Sequence, residues 1–459
     1  MEDKNKLILL WFILIFVPLF ALRLFQDEML YLNMSRKVLQ FEFLPRSSLV
    51  FILTSPFMAF NNVNLRVFLP RITTSLITLL DLILIYNIAK RYYGKKAGFL
   101  SSLMFLFSFV ALRYGARYTL EPWGTFFALL AVYYLDTKPM YSAVSMGLAF
   151  WAREQWVVVY PFYLIFAKIK KDHRTFIRIL LVSSVVVALN FLFIFYVSEF
   201  YGGIHKASVV SYPSKTLSSY ISFIPSLLRD WVEFVIAFPL ATIGFIYALI
   251  KDRKNSTLWV IIPSVLVLNG LPGFILNGPF ERYTFGPLAL MSILSGYGII
   301  QLYEDLKPKI KLLNILTIEK WVALFLIAQF IFFNVAVLKL SDIRAKGIQD
   351  YGYWHDREVF KILEENANPN EFFVGTPHPA FLGFKNWKWA DRNIQKAIEL
   401  NPDWLITFES WVNFRENPHE IDELEIYSIG PYLVIHAKEK GAIKKYVVSS
   451  DLKLWKFRK

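Results

Sequence analysis

The sequence predicts a polytopic α-helical membrane protein of about eleven transmembrane helices, with a small C-terminal α/β domain outside the membrane. Three observations predict this. Of the 459 residues, 56% are hydrophobic and 17% aromatic, and the mean hydropathy is +0.42. A soluble domain is roughly 45–50% apolar. Apolar runs near spanning length recur along the chain. The net charge of +14 is unevenly placed: residues 1–340 hold 33 Lys+Arg and 18 Asp+Glu, residues 341–459 hold 17 and 18. The basic excess therefore lies in the apolar part, in short clusters between hydrophobic runs. That is the pattern of cytoplasmic loops, and it argues against a nucleic-acid surface. No cysteine is present, which excludes disulfides, thiolate nucleophiles and Cys-ligated metals.

A span needs roughly 20 mainly apolar residues. Runs of this kind are Leu7–Phe25, Arg66–Ile88, Ala97–Leu112, Pro122–Leu135, Met140–Ala152, Trp156–Ala167, Phe176–Val197, Val232–Ile250, Leu258–Leu276, Tyr283–Leu302 and Trp321–Leu340. Met140–Ala152 and Trp156–Ala167 are short and read either as one bent crossing or as a pair of half-helices. Leu49–Phe60 contains Pro56 and reads as re-entrant or interfacial. The basic clusters are Lys4/Lys6, Lys90/Arg91/Lys95/Lys96, Lys138, Lys168/Lys170/Lys171/Arg174, Lys251/Arg253/Lys254 and Lys307/Lys309/Lys311. With eleven spans, all fall on one side. The N-terminus is then cytoplasmic and the tail extracytoplasmic. The chain divides into a membrane domain, 1–340, and a soluble domain, 341–459. In the latter Glu371–Gly375, Trp404–Phe408 and Tyr432–His436 read as strands. Glu358–Glu365 and Arg392–Leu400 read as helices, the second stopped by Asn401-Pro402.

This topology gathers charges of both signs on the outer loops, a pattern that suggests a polar cavity at that level; simple solvated loop charge is the alternative. Asp27 and Glu28 follow the first span directly. A carboxylate there could act as a general base or hold a divalent cation; it could equally cap the stretch Met29–Leu39. Arg282 opens a long apolar run at its outer end, where a guanidinium can clamp phosphate or simply anchor the helix together with Tyr283. Arg153 and Arg46 carry the same two readings. Arg117 and Glu121 sit on another outer turn. Asp81 lies well inside the second span and is expected to pair with a polar group on another helix.

Four blocks, taken in order, resemble the GT-C glycosyltransferases, in the branch containing protein O-mannosyltransferases and the lipid A aminoarabinose transferase. They are Phe25-Gln26-Asp27-Glu28-Met29-Leu30-Tyr31, the Arg66–Gly94 span ending in Ala89-Lys90-Arg91-Tyr92-Tyr93-Gly94, Ala116-Arg117-Tyr118-Thr119-Leu120-Glu121-Pro122, and Glu281-Arg282-Tyr283 through Pro287. Gln26 stands where an arginine often precedes the acid. The Trp-Trp-Asp motif of oligosaccharyltransferases is absent; Tyr353-Trp354-His355-Asp356 is a poor substitute. The resemblance implies a sugar donor on polyprenyl or dolichyl phosphate, and a protein, glycan or lipid hydroxyl as acceptor. Transfer would invert the anomeric centre on the outer side. Asp27 and Glu28 would be catalytic, Arg282, Arg153 and Arg46 would hold the donor phosphate, and Arg117, Glu121 and Tyr283 would contact substrate. A hexosyl- or mannosyltransferase-like enzyme is expected, with a divalent cation left open. The rival reading is a transporter or flippase of lipid-linked sugars, which would call for midplane charges and repeat symmetry.

Overall fold

In the computed structural model the described residues are 2–24, 26–42, 49–200, 238–252, 281–334, 353–368, 370–389, 394–408 and 412–449. The chain forms two compact units, one of Met1–Leu19 with Ser35–Gln349, the other of Phe20–Met34 with Asp350–Lys459. The boundary expected at 340/341 falls within 335–352, outside the described residues.

In the first unit, the opening apolar run is helical from Glu2 to Trp11 (α1) and widens into a π turn over Phe12–Phe16. Pro18, which lacks an N–H, ends it in a 3-10 turn reaching Phe20. The helix Gln26–Leu39 (α2) has its first part in the second unit and continues in the first from Ser35. Leu49–Thr54 (α3) and the 3-10 turn Ser55–Ala59 form the short segment expected around Pro56. Val63–Tyr93 (α4) begins at Asn62, whose side-chain carbonyl accepts the amides of Asn64 (2.8 Å) and Leu65 (3.4 Å). Lys90 and Arg91 sit in its last turn, where cations suit the helix dipole.

The expected run Ala97–Leu112 is interrupted. Lys95–Leu106 (α5) stops at Phe107, and Ser108 caps Phe109–Tyr114 (α6) by accepting the Ala111 amide at 3.1 Å. Next come Glu121–Tyr134 (α7), Pro139–Ala152 (α8) and Tyr160–Lys170 (α9). The two short runs are therefore two separate helices, joined by extended Arg153 (φ −155°, ψ 117°) and a 3-10 turn, Glu154–Val158. His173–Phe200 (α10), Pro239–Lys251 (α11), Phe285–Leu306 (α12) and Ile318–Asn334 (α13) complete this unit.

Among the described residues, three helices are long and apolar enough to cross a membrane: Val63–Tyr93, His173–Val197 and Phe285–Leu306. The expected spans of α5 to α9 appear as shorter or broken helices, and Leu258–Leu276 lies outside the described residues. The core forms around α12, buried at every position from Phe285 to Gly296 and packed on α4, α5, α7 and α11. Close approach of α11 and α12 depends on small residues: a methyl on Gly298 would collide with the Gly244 carbonyl, and one on Gly244 with that of Ser295. By contrast, α10 turns Leu181, Val185, Leu189 and Leu192 outward, the apolar surface that lipid would cover.

The second unit contains a mixed five-stranded sheet in the order β2-β1-β3-β6-β5. Its strands are Phe373–Gly375 (β1), Trp387–Trp389 (β2), Trp404–Phe408 (β3), Leu424–Ile429 (β5) and Tyr432–Ala437 (β6). β1 pairs in parallel with β2 and β3, while β6 runs antiparallel to β3 and β5. Val412–Phe414 (β4) and Val447–Ser449 (β7) form a separate pair. One face packs Val359 and Leu363 of the helix Tyr353–Asn366 (α14) against Phe373, Trp404, Ile406 and Val434.

Candidate functional site

Of the residues expected on the outer loops of the first unit, Glu121, Arg153, Glu154 and Tyr283 come together where α7, α8 and the turn Glu281–Thr284 begin or end. Glu121 opens α7 and is wholly buried. Arg153 leaves α8 in an extended conformation, which directs it away from the helix axis; it is 5% exposed. Its Nη2 stands 3.2 Å from Glu121 Oε1, and its Nη1 stands 3.8 Å from Glu154 Oε2. The same guanidinium lies over the Tyr283 ring, 5.0 Å from its centroid. Arg117 is buried on the connection between α6 and α7 and donates from Nη1 to the Arg113 carbonyl at 3.2 Å. Arg113 is buried as well, its guanidinium over the Tyr114 ring at 5.7 Å. Arg113, Arg117 and Arg153 are thus all buried, and Glu121 and Glu154 stand beside the last of them. A buried guanidinium of this kind can take an anionic ligand.

Two neighbours escaped the sequence reading. Trp156 is wholly buried, its indole slotted between two glycines. A Cβ on Gly124 would stand 2.5 Å from the indole nitrogen and 2.9 Å from Arg153 Cβ; one on Gly286 would stand 2.8 Å from the ring. Neither the Trp156 indole N–H nor the Thr125 hydroxyl has a hydrogen-bond partner among the described residues. Both are buried donors that approach Gly286, and buried donors of this kind need an explanation. Tyr118, from the Ala116–Pro122 block, bonds Ser35 (2.8 Å) and Thr54 (2.7 Å) in a buried hydroxyl triangle. The local sequence signal was the pair Gly124-Thr125 one residue past Trp123, too common to single out.

Asp27 and Glu28 lie in the first turn of α2, in the second unit; Asp27 is half-buried and Glu28 wholly buried. The helix starts at Gln26, so Asp27 is a first-turn residue and not the cap before Met29. Arg46 lies outside the described residues. For Arg282 the backbone of the turn Glu281–Thr284 is described and the side chain is not. Asp81 is buried in α4, and neither carboxylate oxygen has a hydrogen-bond partner among the described residues. The partner on another helix expected for it is not found there. Nor do three or more His, Asp or Glu side chains gather as a metal site among the described residues.

Comparison with known proteins finds a partial family match and a shared fold. Residues 49–198 match the family model for dolichyl-phosphate-mannose-protein mannosyltransferase. That segment runs from α3 through α10 and includes Arg117, Glu121 and Arg153. The fold is similar to ArnT from Cupriavidus metallidurans bound to undecaprenyl phosphate, at a TM-score of 0.59 and 12% identity over 95% of this chain and 97% of that one. The family match covers about a third of the chain, and the likeness to solved structures is one of fold. The fold is also similar to the oligosaccharyltransferase of Archaeoglobus fulgidus in complex with Zn and sulfate (TM-score 0.55, 11% identity, 88% of this chain and 68% of that one). The same enzyme tethered with an acceptor peptide containing the NVT sequon gives a TM-score of 0.52 at 10% identity, over 89% and 68%. No curated protein matches the chain in sequence.

Proposed function

We propose that this protein is a membrane glycosyltransferase of the GT-C superfamily, in the protein O-mannosyltransferase and ArnT branch, that moves a sugar from a polyprenyl- or dolichyl-phosphate carrier to an acceptor hydroxyl on the outer side of the membrane, with inversion at the anomeric carbon. The observation that carries the reading is the buried Arg153, 3.2 Å from Glu121 and over the Tyr283 ring, with Arg113 and Arg117 also buried on α6 and its connection to α7. A lipid phosphate is the leaving group of such a reaction. Its negative charge grows as the glycosidic bond breaks, and a preplaced guanidinium stabilises it in proportion. The capture of undecaprenyl phosphate by the ArnT of similar fold supports the same donor class. The unpartnered donors of Trp156 and Thr125 are suited to the hydroxyls of a bound sugar.

The acceptor oxygen attacks the anomeric carbon as the carbon–phosphate-oxygen bond breaks, and the departing phosphate keeps the electron pair. The proton of the attacking hydroxyl goes to Asp27, the acid in the block that resembles the family's first outer loop. Glu28, one residue on, presents to a different helix face and serves the acceptor or a partner arginine. Glu121 holds Arg153 in place, 3.2 Å away. Arg282 is proposed as a second phosphate ligand.

Incubating purified protein with a panel of polyprenyl-phosphate sugars and a hydroxyl acceptor tests this. One donor should give an inverted glycoside and free polyprenyl phosphate. Movement of the intact lipid-linked sugar across the bilayer, with no transfer, would instead favour a flippase. For orientation, the absence of native cysteine helps: Ser341→Cys should react with an impermeant thiol reagent in intact cells. Labelling only after lysis would put the tail on the inner side.

A further inference from the structure

The second unit contains a buried polar network that the reaction scheme does not use. Asp356 in α14 is wholly buried. Its Oδ2 accepts the backbone N–H of Leu24 at 2.8 Å. Its Oδ1 accepts the Tyr432 hydroxyl at 2.8 Å and lies 3.1 Å from His378 Nε2. His378 is itself buried and fixed through Nδ1 to the Thr376 hydroxyl at 2.8 Å. Every member of this chain of contacts comes from the sheet domain except Leu24, three residues before Asp27. Two further ties act on the same segment. Tyr353 N–H donates to the Ala21 carbonyl at 3.2 Å. Arg23 lies over the rings of Phe408 and Tyr432, at 5.7 and 5.8 Å. The sequence separation is large: Leu24 and Asp356 are 332 positions apart.

We infer that Asp356, gripped by His378 and Tyr432, is a positioning residue that holds the segment leading into the Asp27–Glu28 turn. The physical case rests on what each contact fixes. A carboxylate shared between one backbone amide and two side-chain donors can sit in only one orientation, because each oxygen has its own partner. The Leu24 amide is thereby pinned to the rigid core of α14 and β6. A helix whose first turn begins two residues later inherits that placement. Segments joined to a domain by such buried bonds open only with the domain, whereas a segment without them frays independently. A base displaced by about an ångström from its proton loses on the order of a hundredfold in rate. The proposal rests on the reading of Asp27 as the base, and part of its test does not depend on activity.

The test uses the full-length protein in lipid nanodiscs and two readouts, amide hydrogen exchange and transfer from the polyprenyl-phosphate sugar. Asp356→Ala should raise exchange across residues 20–25 roughly tenfold while β1, β3 and β6 keep their protection. It should also lower kcat roughly tenfold to a hundredfold with little change in KM. Asp356→Asn should restore much of both. Its amide oxygen can still accept from Leu24, and His378 can change tautomer to accept the new N–H while donating to Thr376. Unchanged exchange at 20–25 in folded Asp356→Ala overturns the proposal, as does faster exchange with kcat unaltered. If Asp356→Ala loses the sheet's protection as well, Tyr432→Phe with His378→Gln replaces it, and no loosening at 20–25 overturns the proposal. Asp27→Asn separates the two readings: it should lose rate with exchange at 20–25 unchanged. Full rate in that variant removes Asp27 as the base and leaves the anchor to be decided by exchange alone.

Discussion

Glu121 and Asp356 are both wholly buried carboxylates, yet the two regions hold them by opposite means. Glu121 faces a guanidinium, Arg153, at 3.2 Å. Asp356 takes a backbone amide, a phenol hydroxyl and an imidazole. The first arrangement is a pair of full charges in a region of low dielectric; removing one strands the other. The second spreads a single charge over donors that can be dealt out again when the acceptor changes. Under the proposed function, charge pairing would serve a place where a ligand's charge arrives, and a network of separate donors one where geometry stays fixed.

The difference predicts unequal responses to the same chemical change. Glu121→Gln should cost about 3 kcal/mol of stability, at the lower end for a broken buried pair because Glu154 still stands 3.8 Å from Arg153. Asp356→Asn should cost about 1–2 kcal/mol, the worth of one or two hydrogen bonds. Thermal unfolding of the solubilised protein measures both, and equal losses would erase the distinction. Asp81 sharpens it from the other side. It is buried with no hydrogen-bond partner among the described residues, so Asp81→Asn breaks nothing there and should leave stability unchanged to within about 0.5 kcal/mol. A loss well above that would reveal a partner.

The parts of this design visible in the sequence are those written in local pattern. Strand β3 was expected at the residues where it forms, and β6 to within one residue, because apolar β-branched runs bounded by turn residues mark buried strands. The stop after the helix Ile394–Glu399 was legible in Asn401, which adopts φ 53°. β2, β4 and β7 are three residues each, too short to show a period. β5 lies at the sheet edge with a half-exposed face, which blurs its alternation. The ingredients of the Arg153 region were legible as loop charges of mixed sign, set apart from the purely basic clusters. Which of them meet was not: Arg153 reaches Glu121 through an extended residue between two helices, a detail of backbone direction. The Asp356 network was invisible for the same reason at greater range, and Tyr353-Trp354-His355-Asp356 appeared only as a failed match to another motif.

The role proposed for Asp27 as the base is tested most directly by Asp27→Asn. An asparagine in the first turn of α2 leaves the fold intact and cannot take a proton. Single-turnover transfer from a polyprenyl-phosphate sugar should slow roughly 10²–10⁴-fold, the usual worth of a positioned base, while donor binding stays as in the unaltered enzyme. A folded Asp27→Asn protein that transfers sugar at the full rate would contradict the account and pass the role to Glu28 or Glu121.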